Sequence, residues 1–434
     1  MTAAAQPGHK WNFGAGPAMI PRPVLERAQS EFLNYQSTGL SIMELSHRSQ
    51  PYEDLNNKAQ AQLRQLLKVP ENYKIIFMQG GGHTQFAAVV YNLIAWRHHQ
   101  NGAKGDWKEI PVDYVVTGSW SAKAAEEAKR LGANLRIICD AKKSLGAFTG
   151  IPAESTWATS DPQGAVRQAD AASNQKPAYL YYCDNETVNG VEFPYVPSLH
   201  DPSVPLVCDM SSNILSRPVD VSKFGVIYAG AQKNIGPAGV SVVIIREDLL
   251  QTSELKDGLP PVALMLDYKT MVKNNSLYNT PPMFAIYISS LVFDWLLNAD
   301  AQRVQDGDAA IYSHSSFVGV EAAQARNERK AAKLYKALEE SRFYRIVVQD
   351  KAARSKMNIP FRISAAPKGS GAVADKKKDE EMEAAFVAQA EAKGLLQLAG
   401  HRSVGGIRAS IYNAMTEEGV DVLIAYLKEF ENQY

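Results

Sequence analysis

FGVIYAGAQKNIGPAGVSVVIIRED, residues 224–248, decides how the rest of the chain is read. Two apolar runs, VIYAG and VSVVIIR, flank a turn of small residues. Short runs of Val, Ile and Tyr bounded by glycine predict buried strands. Lys233 stands in the turn, with Gln232 and Asn234 beside it. Burying an ammonium is costly, and a desolvated lysine becomes a base or an imine former. A single loop lysine is ordinarily a solvated one. Its meaning depends on what neighbouring strand ends bring to it.

The chain has 434 residues, enough for about two or three domains. A hydrophobic content of 45% and a charged content of 21% match a soluble globular protein with a large core. Lys+Arg and Asp+Glu are both 46, a net charge of zero. This argues against nucleic-acid or membrane-surface binding driven by bulk charge. Cys139, Cys183 and Cys208 sit in or beside apolar runs and no CxxC occurs. They read as reduced core residues, with no disulfide framework and no metal site. No apolar leader is visible near the first residues, and no run of 18 apolar residues occurs. The expected compartment is the cytoplasm.

In order, residues 1–17 read as an N-terminal arm. Helices are expected over RPVLERAQSEFLNY (22–35) and YEDLNNKAQAQLRQLLK (52–68), with an irregular MELSHRS between them carrying His47 and Arg48. KIIFMQGGGHTQFAAVVYNLIA (74–95) reads as strand, glycine turn, helix. Its glycines fall at a helix N-terminus, where unpaired N–H groups and the helix dipole favour a phosphate. A tight turn without a ligand is the competing reading. Strand, helix and strand follow over 113–140, with Trp120 just past a strand end. LYYC runs into the polar DNET, and PLVCD into Ser211, Ser212 and Asn213. Asp209 thus ends a strand, where ligands bind in open α/β sheets, although a turn aspartate reads the same way. An apolar helix after the prolines of SLYNTPP suits the first-turn preference of proline. A long helix is expected over about 316–340, and the domain junction near Asn298. The large domain therefore spans 18–297 and a smaller α+β domain 298–434. Segments 97–110, 150–176 and 365–380 are polar and read as surface loops without catalytic roles.

Strand ends of one mostly parallel sheet would then offer a glycine cup at Gly80–His83, the Trp120 ring, the Thr187 hydroxyl, Asp209, and Gln232 with Lys233. A phosphorylated heteroaromatic aldehyde uses all of these. Its phosphate needs N–H groups, its ring a stacking plate, its ring nitrogen a carboxylate, and its aldehyde an amine. Pyridoxal 5′-phosphate is such a molecule. An NAD-binding domain is the competitor, but GGGH is not GxGxxG, and no acidic residue about 20 positions on ends a second strand. His47, Arg48, His401, Arg402 and Arg408 form a separate basic set. Arginine forks bind carboxylates and phosphates bidentately, which suggests a doubly anionic substrate.

MELSHRS, GGGHTQF, CDMSSNILSRPVDVSKFGVIYAGAQKNIGPAG, SLYNTPP and GHRSVGGIRASIYNA closely resemble the phosphoserine aminotransferase family of the class V aminotransferase group, over nearly the whole chain. The resemblance implies an α/β fold of pyridoxal-phosphate fold type I. That fold has a large domain on a mostly parallel, seven-stranded-type sheet and a smaller C-terminal α+β domain. It implies that Lys233 forms the Schiff base with the cofactor and shuttles the proton, and that Asp209 pairs with the pyridinium nitrogen. Trp120 would stack on the ring and Thr187 would bond its phenolic oxygen. Gly82, His83 and Gln232 would hold the phosphate, and Asn279 and Thr280 would reach that of a partner subunit in a homodimer with shared sites. Arg408 would bind the α-carboxylate of the substrate, and His47 and Arg48, with His401 and Arg402 from the other subunit, its distal phosphate or carboxylate. The implied reaction converts L-glutamate and 3-phosphooxypyruvate to 2-oxoglutarate and O-phospho-L-serine. His83 stands where bacterial members often carry arginine. The alternatives are a lyase or desulfurase of the same fold, of which a desulfurase would need a mobile nucleophilic cysteine, and a pure binding protein, which would not need the lysine.

Overall fold

The computed structural model describes residues 10–158, 176–198, 201–252, 263–298, 319–370 and 375–434. A short strand, β1 (Trp11–Asn12), comes first. Then follow β2 (Tyr73–Met78), β3 (Pro111–Val116), β4 (Asn134–Asp140) and β5 (Leu180–Cys183). A small antiparallel pair, β6 (Asn185–Glu186) and β7 (Val191–Glu192), follows β5 directly. Next are β8 (Leu206–Asp209), β9 (Val226–Gly230) and β10 (Ser241–Arg246). Seven of these strands form the central sheet, in the spatial order β2-β10-β9-β8-β5-β3-β4. Only β10 runs against its neighbours, pairing antiparallel with both β2 and β9. The remaining pairs are parallel, so their C-terminal ends share one edge. The apolar runs on either side of Lys233 are β9 and β10 themselves.

Strand alternation sorts the residues onto two faces. Ile75, Phe77, Ile227, Ile244 and Cys208 face one core with the helices Gln50–Leu67 and Met283–Leu297. Ile76, Met78, Val207, Tyr228 and Val243 face a second core under the helices Gly81–Gln100 and Ser119–Arg130. Both faces are covered, which explains why the strands read as continuous apolar runs.

The C-terminal layer holds β11 (Tyr344–Ile346), β12 (Asn358–Ile363), β13 (Leu395–Leu396) and β14 (Ile407–Ser410). Of these, β11, β12 and β14 form a three-stranded antiparallel sheet. It packs with the helices Val320–Glu340, Lys376–Ala392 and Glu417–Glu431 through Leu334, Phe361, Phe386 and Leu423. The helix Val320–Glu340 begins against the large sheet at Val320 and Ala323 and ends in this second layer at Leu334 and Leu338. It therefore ties the two layers together. The residues around the expected junction at 298 and the start of the expected helix at 316 border or fall within 299–318, outside the described residues.

Residues 11–13 are not a free arm. β1 pairs parallel with β13, and Phe13 is fully buried in the C-terminal core. Residues 1–9 lie outside the described residues. Segment 97–110 is also less superficial than its polarity predicts. Arg97 is buried and donates to the carbonyls of Pro177 and Ser203 at 3.1 and 2.9 Å, and Trp107 is buried as well. Within 150–176, Trp157 is buried with its indole N–H on the Pro152 carbonyl, while 159–175 are outside the described residues. In 365–380, Asp375 caps the helix that opens with Lys376–Lys378, and 371–374 are not described. No helix among the described residues is long and apolar enough to cross a membrane.

Lys330 joins the layers chemically. It is fully buried, and Nζ donates to the carbonyls of Ile411, Tyr412 and Met415 at 2.8–3.0 Å. These carbonyls follow the strand that carries Arg408. Lys330→Met should lower the unfolding free energy by about 3–5 kcal/mol, because each unsatisfied buried acceptor costs ~1–3 kcal/mol. Urea unfolding at constant m-value measures this; an unchanged midpoint would show that the three bonds contribute nothing net.

Candidate active site

The turn between β9 and β10 places Lys233 at the C-terminal edge of the sheet. The Ala231 carbonyl accepts from the N–H groups of Lys233 and Gly236 at 2.8 and 2.7 Å, which closes the turn. Asn234 anchors it from below, donating to the Ile214 carbonyl and accepting from the Asn413 N–H. Lys233 is 8% exposed. Its amine donates to Thr187 Oγ1 at 2.7 Å. Burial pushes its pKa down to about 8, against the opposing pull of Asp209.

Asp209 ends β8, level with Cys183 on β5 and Tyr228 on β9. It is buried and keeps two hydrogen-bond donors. The Ser211 N–H lies 2.8 Å from Oδ1 and the Tyr228 hydroxyl 3.1 Å from Oδ2. Burial raises its pKa, and the Ser211 side chain, the Ser211 N–H, the charge of Lys233 and the Tyr228 hydroxyl oppose the rise, in that order.

The helix Gly81–Gln100 starts beside the cleft. Gly80 and Gly81 take φ of 98° and 70°, the left-handed region that glycine enters without strain. This brings the first backbone of the helix, at Gly82 and His83, into the cleft wall. On the opposite side, Trp120 lies in the first turn of Ser119–Arg130. The start of that helix is capped from a distance. The fully buried Glu186 carboxylate accepts from the Trp120 and Ser121 N–H groups at 2.8 Å each and from the Ser121 hydroxyl at 2.5 Å. A Cβ on Gly118 would run into that carboxylate. The Trp120 ring centroid is 6.0 Å from Lys233 Nζ and 5.5 Å from the His83 ring.

Gly82, His83, Trp120, Thr187, Asp209, Gln232 and Lys233 therefore line one cleft, as the sequence leads one to expect, joined by Phe86, Cys183, Asn185, Ser211 and Ser212. Arg408 reaches the same place from β14. Its Nη1 lies 3.4 Å from the Thr187 carbonyl, its Nε is buried without a partner, and burial lowers its pKa. His401 sits within the field of Arg408, Lys123 and Arg402, with Nδ1 2.7 Å from Ser403 Oγ. Arg402 is exposed beside it.

The other expected residues gather elsewhere. Thr280 Oγ1 is 3.2 Å from His47 Nδ1, and Gln79 donates to Asn279 Oδ1 and the Thr280 carbonyl at 3.4 and 3.1 Å. Arg48 is exposed next to His47. None of these four lines the Lys233 cleft, and Gln79 links the two groups through the adjacent Gly80. Sequence reading marks the polar run of Glu186 and of Ser211–Ser212 without assigning roles to its members. What distinguishes Glu186 is contact with a helix 65 residues away, which spacing does not reveal.

The aminotransferase class-V family pattern matches residues 10–316. Phosphoserine aminotransferase of Laribacter hongkongensis is 43% identical over 425 residues, covering 98% of this chain and 99% of the relative. That of Pseudomonas entomophila is 44% identical, covering 98% of both. The structure of phosphoserine aminotransferase from Bacillus circulans subsp. alkalophilus superimposes with a TM-score of 0.78 at 40% identity, over 98% of this chain and 99% of that one. The pyridoxal-phosphate-bound enzyme from Trichomonas vaginalis gives 0.77 at 38% identity, over 97% and 100%. The fold and the residue pattern define a class-V aminotransferase. Within that class, the chain belongs to the phosphoserine aminotransferase family.

The lowered pKa of Lys233 has a sign that can be tested. The unfolded chain holds this proton up to the ordinary lysine value of 10.5, the folded one only to about 8. Between those values the unfolded state binds more protons, so stability of the cofactor-free protein rises with pH there. The rate of imine formation with a small aldehyde should climb with pH to a plateau just above 8. A midpoint near the ordinary lysine value would show that the amine is solvated.

Proposed function

We propose that this chain is a pyridoxal-phosphate-dependent phosphoserine aminotransferase, converting L-glutamate and 3-phosphooxypyruvate to 2-oxoglutarate and O-phospho-L-serine in serine biosynthesis. The observation that carries this reading is the buried Lys233 amine, held by Thr187 beside the buried Asp209. An amine with a pKa of about 8 is partly neutral at physiological pH, as attack on an aldehyde requires.

The donor set fits the cofactor. Asp209 uses one oxygen for Ser211 and the other for Tyr228, which leaves lone pairs for a ring N–H. Gly82 brings no side chain into the space in front of Ser211; even a Cβ there would stand 3.9 Å from Ser211 Oγ. When bound, pyridoxal phosphate supplies the sink for the electron pair released from the substrate Cα–H bond. Asp209 would hold the proton on the ring nitrogen. Gly82, His83 and Gln232 would bind the phosphate, and Trp120 would cover the ring and exclude water. Thr187, which accepts from the Lys233 amine, would turn to the phenolic oxygen. Lys233, freed from the cofactor, would take the Cα proton and return it to the cofactor side. Arg408, with an unpartnered buried Nε, would clamp the α-carboxylate.

His401 lies in the field of Arg408 and Lys123 of its own chain. His401 and Arg402 would therefore serve the cleft of their own subunit, not that of the other one as the resemblance implied. The distal phosphate would fall to them together with the partner subunit's His47 and Arg48. Asn279 and Thr280 would complete the partner's phosphate site. A homodimer with shared sites fits the surface around these residues. Leu33 is 80% exposed, Met43 50% and Tyr278 43%, on segments that run into His47 and Asn279. Exposed large apolar side chains on the segments that carry these polar residues suit a subunit interface. The cytoplasm suits the free, buried Cys139, Cys183 and Cys208. Burial pushes the Cys139 thiol up to about 12 and holds Cys183 and Cys208 well above the ordinary range. Thiols so protonated do not serve as the nucleophile of a desulfurase.

Lys233→Ala should remove both the visible absorption of the lysine-bound cofactor and glutamate-dependent amino transfer. Retained transfer would overturn the reading. Arg402→Ala should weaken the phosphorylated keto acid by roughly 2–5 kcal/mol if its contact is buried in the complex, and leave the unphosphorylated analogue little changed. Equal effects on both would assign the distal phosphate to other residues.

A further inference from the structure

Asp209 does not end the polar chain at the sheet edge. Behind it, the Tyr228 hydroxyl donates to Oδ2 at 3.1 Å, and the Tyr181 hydroxyl lies 2.8 Å from that of Tyr228. The direction of the second bond follows from the first. A phenol has one hydrogen. An ionised carboxylate only accepts, so the Tyr228 hydrogen is committed to Asp209 and Tyr181 must be the donor to Tyr228. Register explains the placement. Tyr228 is level with Asp209, and Tyr181 is level with Val207 two residues earlier on β8. All four side chains project to the face under the helix Gly81–Gln100, where Phe86 packs against Tyr228.

We propose that Tyr228 and Tyr181 are positioning residues that hold Asp209 in its ionised form, and thereby keep the ring nitrogen of the cofactor protonated. The inference rests on the pyridoxal phosphate reading of this cleft. Its physical basis is competition for one proton. A buried carboxylate loses its hydration and tends to take a proton. If it took the one on the ring nitrogen, the pair would be neutral and the ring a poorer electron sink. A charge-assisted hydrogen bond from Tyr228 stabilises the carboxylate form, and a phenol whose oxygen already accepts from Tyr181 is a better donor. Both phenols are 1% exposed or less. Burial raises them well above the ordinary tyrosine range, so they remain donors throughout the working pH. The other titratable groups that feel Asp209 are Lys233, Glu186, Cys183 and Cys208. Of these, only Lys233 brings positive charge. Ser211 and the Tyr228 hydroxyl are the hydrogen-bond donors to Asp209 itself, and Tyr181 acts on it through Tyr228.

The test uses the holoenzyme with cofactor enriched in 15N at the ring nitrogen. In the wild type, the 15N shift should be that of a protonated pyridine. In Tyr228→Phe it should move toward the unprotonated value, with kcat lowered roughly 10- to 100-fold, the weight of a hydrogen bond to a charged group, and KM for the keto acid little changed. Tyr181→Phe touches no group of the cleft and should shift the same signal by less. In the Tyr228→Phe background it should add nothing, because it acts only through Tyr228. Tyr181→Phe also keeps the test open should Tyr228→Phe fold poorly. A protonated 15N signal retained in both folded variants would overturn the relay, as would a Tyr181→Phe effect that persists without the Tyr228 hydroxyl. A wild-type protein with no lysine-bound cofactor would instead overturn the cofactor reading.

Discussion

An amine and a carboxylate removed from water at the edge of one sheet set the terms for the rest of this molecule. Desolvation raises the proton affinity of Asp209 and lowers that of Lys233, so each is driven toward neutrality. Hydrogen bonds to Ser211, Tyr228 and Thr187 keep both groups satisfied. An unsatisfied buried charge would cost several kcal/mol, so the surrounding strands must hold those partners in place. The two groups reach the cleft from adjacent parallel strands, β8 and β9. The antiparallel β10 then takes the chain away, leaving Lys233 in the intervening turn.

The cleft walls obey the same requirement that buried polar groups find partners. Glu186 satisfies the open N–H groups of the helix that carries Trp120 and, by doing so, fixes the plate opposite the lysine. Gly118 leaves room for that carboxylate. The left-handed Gly80 and Gly81 aim the helix Gly81–Gln100 at the cleft, where its unpaired N–H groups suit an anion. Lys330 locks the helix that bridges both layers to the chain just after β14. Arg408 is thus delivered from the C-terminal layer to a cleft built by the large sheet.

The proposed dimer with shared sites accounts for the way the basic residues divide. Arg408, His401 and Arg402 stand beside the cleft, while His47, Asn279 and Thr280 are joined by short polar contacts away from it. Leu33, Met43 and Tyr278, on the segments that lead into that second group, are exposed.

The sequence by itself determined the strands and their glycine turns, because buried parallel strands are apolar runs of few residues and their ends are marked by polar or small ones. It determined Lys233, Asp209, Trp120 and the glycine cup as candidates, because strand-end position is readable from that pattern. Only the tertiary structure decided that residues 11–13 belong to the C-terminal core, since their partners lie at Leu395 and Leu396, far along the chain. It also decided the contacts of Glu186 and Tyr228. A glutamate that caps a helix across 65 residues, and a tyrosine that reads as core yet points its hydroxyl at Asp209, differ from ordinary residues only through long-range contacts. Spacing along the chain carries local periodicity. Hydrogen-bond partners between strands depend on register and topology, which exist only once the sheet has formed.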